Sequence, residues 1–192
     1  SYVVSGNNAT FADKEGPSEG LGIMIPTDVE MVQTGGKTYA IVASEPNSGQ
    51  SGALSVLEVS SNGDLQPVDH ITDTGYSRFG NAQEIATITH NGHVYVAAGG
   101  GDFGVTLFKL LPNGQLVHLD SFDGTAAYPL DDITALELAV VGDELQLFVA
   151  TEGAAGVTVL GYDIGSMGVD RVGTSGNNAL TGANGDDVSY DG

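Results

Sequence analysis

The sequence predicts an all-β fold built of antiparallel four-stranded meanders, and three observations predict it. The chain holds 29 glycines in 192 residues and almost no stretch with helical apolar periodicity. One pattern occurs three times between Leu21 and Gly168: apolar alternation, tight turn, Tyr/Val/Ala-rich strand, loop, second apolar strand, turn. Asn62-Gly63 and Asn113-Gly114 lie 51 residues apart, as do Leu65 and Leu116. Repeats of about 40 to 55 residues built this way are the signature of β-propeller blades.

Residues 1–20 read as a short strand, Tyr2-Val3-Val4-Ser5, free to pair with the last blade or another chain, and a polar loop from Asn7 to Gly20. The first repeat, about 21–74, carries apolar strands over Val29–Ala43 and Ala53–Val59 and a turn at Asn62-Gly63. The second, about 75–125, carries Ile85–Ala98, Val105–Leu110 and the turn at Asn113-Gly114. The third, about 126–168, carries Ala135–Ala150 and Val157–Asp163. Asn91-Gly92, Gly142-Asp143 and the two spaced Asn-Gly pairs fall between apolar alternations, and Asn-Gly favours the positive φ of two-residue hairpins. Three blades cannot close a ring that normally takes about four to eight, so the ring is incomplete or is completed by oligomerisation. A β-prism or an open β-sandwich is the alternative. An abrupt N-terminal strand also suggests a piece of a longer chain.

Gly52-Ala-Leu-Ser-Val-Leu-Glu-Val-Ser-Ser-Asn-Gly-Asp-Leu65 and Gly104-Val-Thr-Leu-Phe-Lys-Leu-Leu-Pro-Asn-Gly-Gln-Leu116 resemble the paired outer strands of lactonase-like seven-bladed propellers. Scaffold residues carry this resemblance, so it implies fold more than activity. Residues 169–192 repeat with a period of nine, Gly176-Asn177-Asn178 returning as Gly185-Asp186-Asp187. This resembles the Gly/Asp nonapeptide of the RTX calcium-binding proteins, whose turns offer oxygens to Ca²⁺ and whose hydrophobic position packs inside a parallel β-roll. The resemblance implies Asp186, Asp187 and Asn178 as Ca²⁺ ligands and a secreted protein of a Gram-negative bacterium exported by a type I system. Asn178 stands where the ligand aspartate belongs, and Ser189 stands in a hydrophobic slot that Leu180 fills one unit earlier. Two units read as the opening of an array; a Gly/Asn/Asp-rich linker without metal is the other reading.

Charge narrows the partners. With 25 acidic and 5 basic side chains the formal charge is −20, which salt or divalent cations must screen. Nucleic acid and an anionic membrane surface are therefore poor partners. The absence of cysteine removes disulfides and thiolate metal sites and suits unfolded export. No window approaches the roughly 18 apolar residues of a membrane-spanning helix, so direct membrane insertion is not expected.

Blade geometry places three loops on one face, each with one carboxylate: Glu45 in Ser44–Ser51, Asp102 in Gly99–Phe103 and Glu152 in Thr151–Ala155. The loops between blades add Tyr76, Arg78, Asn81, Glu84, Tyr128, Asp131 and Asp132. Hard oxygen ligands without cysteine favour Ca²⁺ or Mg²⁺, although a chain this acidic puts carboxylates in every exposed loop. His90 and His93 flank a turn with no third ligand nearby, and His70 and His118 read as edge residues. No Gly-x-Ser-x-Gly elbow is present, and Gly99-Gly100-Gly101 leads into a strand rather than a helix N-terminus. Arg78 either grips a ligand carboxylate or pairs with a neighbouring Asp.

Two functions follow as expectations. The first is a secreted, calcium-associated binding, surface or assembly protein, its partner another copy or a cell-surface ligand. The second is an extracellular, metal-dependent lactonase-like hydrolase, for which no defining catalytic residue stands out.

Overall fold

A computed structural model describes residues 1–5, 8–16, 21, 23–45, 51–153, 155–164, 167–172 and 186–190. These residues form fifteen β-strands and, among them, no helix. β3 (Ile25–Thr34), β4 (Lys37–Glu45), β5 (Ala53–Val59) and β6 (Leu65–Thr72) make the first antiparallel meander, called blade 1 below. β7 (Glu84–His90), β8 (His93–Gly99), β9 (Gly104–Leu110) and β10 (Leu116–Asp123) make blade 2. β11 (Ile133–Val141), β12 (Glu144–Thr151) and β13 (Thr158–Asp163) make blade 3.

Two expectations need correction. Among the described residues blade 3 has three strands, not four. The third repeat has no Asn-Gly turn after its third strand, and the next segment, β14 (Met167–Val172), instead pairs in parallel with β15 (Asp186–Tyr190). The N-terminal residues are not a single strand and a loop: β1 (Tyr2–Ser5) pairs with β2 (Asn8–Phe11) as a hairpin.

Turn chemistry explains the strand ends. Asn91 and Gly92 both take positive φ, 49° and 81°, the two-residue geometry their sequence predicts. At the 51-residue-spaced turns only the glycine does, Gly63 at 87° and Gly114 at 90°. There the loop is one residue longer, closed by Gly63 N–H to Ser60 O at 3.0 Å and Gly114 N–H to Leu111 O at 2.9 Å. Gly114 is constrained twice, because a Cβ there would lie 2.6 Å from Tyr39 Cε1 of blade 1. The Tyr39 hydroxyl donates to Pro112 O in the same turn at 3.1 Å, so the blade 2 turn is seated on blade 1.

The blades stack through their sheet faces. β3 packs on β7 and β7 on β11, placing the first strand of each blade along one side of the stack. Between blades 1 and 2 the core joins Tyr39, Ile41, Leu54 and Val56 to Phe79, Val94, Val96 and Phe108. Between blades 2 and 3 it joins Tyr95, Ala97, Val105 and Leu107 to Leu136, Leu145, Leu147 and Val149. A smaller cluster on the far side of blade 1 joins Ala40, Val42 and Leu57 to Ile23 and Leu21 from the N-terminal segment. Alternation of side chains across each strand supplies both faces of every sheet.

Aspartates that follow β-bulges tie blade 1 to blade 2. The register of β5 with β6 skips Val68, and that of β9 with β10 skips Leu119. The next residues are Asp69 and Asp120. Asp69 accepts from the His70 amide at 2.9 Å and, across the blade boundary, from the Leu116 amide at 2.8 Å. Asp120 likewise accepts from the Ser121 amide at 2.8 Å. The first strand repeats the device: β3 bulges at Thr27, and Asp28 accepts from Val29 at 2.7 Å and from Ile85 of blade 2 at 2.9 Å.

Replacing Asp69 with Ala strands two amide donors, and the cost is expected to be about 1–2 kcal/mol of unfolding free energy. Equilibrium denaturation of the variant checks this; an unchanged midpoint would show that Asp69 does not join the blades.

Candidate functional site

The loop face lies where β4, β8 and β12 end, and its loops interlock by main-chain hydrogen bonds. Gly101 N–H donates to Gly80 O at 2.9 Å, Ile133 N–H to Gly100 O at 3.2 Å, and Glu152 N–H to Asp132 O at 3.0 Å. The β8–β9 loop is thus clamped between the loops entering blades 2 and 3. Three non-glycine residues here adopt left-handed φ: Asn81 at 56°, Phe103 at 64° and Asp132 at 46°. Asn and Asp tolerate that conformation, whereas for a bulky Phe it is an outlier the surroundings must enforce. Phe103 is held by its carbonyl, which accepts from Gly124 N–H at 2.7 Å, while 61% of the residue is exposed.

Asp102 is the most perturbed carboxyl on this face. It lies against Gly80, where an added Cβ would come within 3.0 Å of Asp102 Cβ, and its Oδ1 is buried without a hydrogen-bond partner. Burial pushes its pKa up to about 6, with a smaller push from Asp73, against the lowering effects of the Gly80 amide and the Arg78 charge. A carboxyl titrating there can take up or release a proton close to neutrality. Burial, with a further contribution from the Asp28 carboxylate, also raises the pKa of Glu84.

The other sequence-derived residues fall as follows. Glu45 ends β4 opposite Ile25, half-buried, and Glu152 follows β12 on an exposed turn. Among the described residues no three His, Asp or Glu side chains are grouped so as to hold a metal ion. Asp186 and Asp187 open β15, with Asp186 opposite Met167, and Asn178 lies outside the described residues. Arg78 pairs through its Nε with Asp123 and donates to the Ser77 carbonyl at 2.8 Å, so it joins β10 to the loop entering blade 2. His70 and His118 hydrogen-bond Ser55 and Ser121, each at 2.9 Å, and His90 lies 2.9 Å from the Asn91 side-chain amide.

Two surfaces were not foreseen. A cavity of about 230 Å³ opens between the outer strands of blades 1 and 2, lined by Ile71, Tyr76, Phe79, Phe108 and His118. Phe108 meets Phe79 and His118 edge-on, with centroids 5.7 and 5.9 Å away, so the walls suit a small apolar group. The second surface is the outward face of blade 3. Val157 and Val159 are 62% and 50% exposed, while Leu54 and Val56 of blade 1 and Val105 and Leu107 of blade 2, which take the same places, are all 0% exposed. Half-buried Phe148 and exposed Val141 extend this face along the neighbouring strands. The signal for it was present in Gly104-Val-Thr-Leu107 and Gly156-Val-Thr-Val159, which align residue for residue.

Neither the protein-family models nor the curated proteins searched match this chain.

Because the pKa of Asp102 is raised in the folded state, the stabilising form is the protonated one. Its contribution is fully present below the unfolded value near 3.8 and is lost as pH rises through about 6. Asp102→Asn is expected to stabilise the protein at pH 7.5 by about 1 kcal/mol, a linkage figure reduced for solvent screening of a half-exposed group. It should also flatten the pH dependence of the melting temperature between about pH 4 and 6. Thermal unfolding across that range checks both, and a variant that melts lower at pH 7.5 would contradict them.

Proposed function

We propose that this chain is an extracellular, calcium-associated assembly protein whose copies join through the faces of their blades. The observation carrying the reading is the exposure of Val157 and Val159 at positions that are 0% exposed in blades 1 and 2. Fully burying a side chain of this size is worth about 1.5–3 kcal/mol, so an uncovered blade face is a strong drive to associate. Assembly by blade stacking needs no catalytic group.

Calcium enters the proposal through charge and through the tail. Copies carrying −20 repel one another, and association therefore requires screening. Divalent ions provide it at lower concentration than monovalent salt, because ionic strength grows with the square of the ion's charge. The RTX-like residues Asp186 and Asp187, with Asn178, are the segment proposed to take Ca²⁺ specifically, because aspartate and asparagine oxygens are its preferred ligands.

Light scattering of chelator-treated protein during Ca²⁺ addition, with Mg²⁺ and matched ionic strength as controls, is expected to show a saturable, Ca²⁺-selective rise in mass. Val159→Glu should hold the mass at that of one chain under the same conditions. An equal response to Mg²⁺ would reduce calcium to screening, and an unaltered mass for Val159→Glu would overturn assembly through blade 3.

A further inference from the structure

The N-terminal segment does to blade 1 what a preceding blade would do. Leu65 and Leu116 begin the fourth strands of blades 1 and 2, 51 residues apart. The Leu116 amide is taken by Asp69 of the blade before it, and the Leu65 amide is taken by Asp13, at 2.9 Å. Asp13 also accepts from the amide that follows it, Lys14, at 2.8 Å, as Asp69 does from His70 and Asp120 from Ser121. The Leu65 amide first, and then the Lys14 amide, lower the pKa of Asp13 below its ordinary value.

Apolar packing repeats the substitution. Ala40, Val42 and Leu57 are covered by Ile23 and Leu21, where their equivalents Val96, Ala98 and Phe108 are covered by Tyr39, Ile41, Leu54 and Val56 of a whole blade. The surrogate covers β4 and β5 but stops short of the first strand. Val29 and Met31 on β3 stay 56% and 53% exposed, whereas Ile85, in the place of Val29, is 3% exposed. Blade 1 therefore has a half-covered receiving face, and blade 3 has an uncovered face of the kind that blades 1 and 2 insert into their successors.

We propose that the segment around Asp13 is a displaceable cap, occupying on blade 1 the place that blade 3 of a second copy takes during assembly. This rests on the assembly reading above and adds its partner surface and its restraint. The incoming blade replaces Leu21 and Ile23 with a broader apolar face and covers Val29 and Met31 as well, while the Leu65 amide gives up Asp13 and receives no aspartate in return, because blade 3 has no fourth strand among the described residues. The cap limits association because its contacts must be released first.

Sedimentation equilibrium of the full chain, Asp13→Ala, Val159→Glu and the double variant in one Ca²⁺-containing buffer tests the proposal. Asp13→Ala is expected to tighten self-association roughly tenfold, the effect of removing the one charge-assisted hydrogen bond by which the Asp13 side chain holds the cap on blade 1. The double variant should return to one chain. Equal or weaker association of a cooperatively folded Asp13→Ala, with Val159→Glu still weakening it, would overturn the cap and leave assembly standing. No effect of Val159→Glu, or no association of any variant, would overturn both. Hydrogen exchange on the unaltered chain gives a second reading that needs no substitution. Raising concentration should slow exchange in β3 and β13 and speed it around Leu65 as Asp13 lets go, and unchanged exchange at Leu65 in the associated form would likewise overturn the cap.

Discussion

A carboxylate placed just after a β-bulge is the contact that fixes blade 2 on blade 1. A bulge turns the strand and leaves main-chain groups without a ladder partner, and an aspartate at the next position can accept from its own successor's amide and from an amide of the adjoining blade. Asp28 does this at the first strand of blade 1 and Asp69 at its outer strand, so blade 2 is fixed at both edges. With the edges fixed, the apolar faces between them meet in one register, and Tyr39 and the Asn113-Gly114 turn close the boundary. The acidity of the chain thus has a structural share as well as an electrostatic one.

The same device accounts for the asymmetry of the molecule. Blade 1 is approached from outside by Asp13, which repeats the bond that Asp69 makes, although the apolar cover brought with it is narrower. Blade 3 presents valines where its predecessors present buried leucines and valines. In the proposed assembly these two ends are the halves of one repeating contact, and head-to-tail contacts of this kind build rings when the rotation closes and filaments when it does not. Repulsion between acidic copies would oppose such a contact and make it respond to ions.

Much of the scaffold was legible because it is periodic. Strand alternation and the 51-residue spacing of Asn62-Gly63 and Asn113-Gly114 located the sheets and their turns, and the Asn91-Gly92 hairpin has the backbone its residues demand. That blade 3 has no fourth strand among the described residues was harder to see, since its sign is the lack of an Asn-Gly pair between Asp163 and Met167 rather than a feature that is present. β2 was hidden because Asn8-Ala9-Thr10-Phe11, although it alternates, is only four residues long within a polar segment, and pairing with β1 decides its conformation. The loop face was legible as a place but not as a geometry. Asp102 stood out only as one acid among many until the approach of Gly80 buried it, and Arg78 left two roles open until Asp123 came beside it. Asp13 was unreadable in the sequence for a related reason: nothing local distinguishes it from other acids, and its meaning comes from an amide 52 residues away.

The proposed assembly requires an apolar face on blade 3 that the single chain leaves open. Methyl NMR of dilute protein with a soluble paramagnetic agent tests it most directly. The account predicts strong broadening of the Val157 and Val159 methyls and none at Val56 and Val105, with the difference shrinking as concentration and Ca²⁺ drive association. Val157 and Val159 methyls as protected as those of Val56 in the single chain would contradict it, because the chain itself would then cover the face.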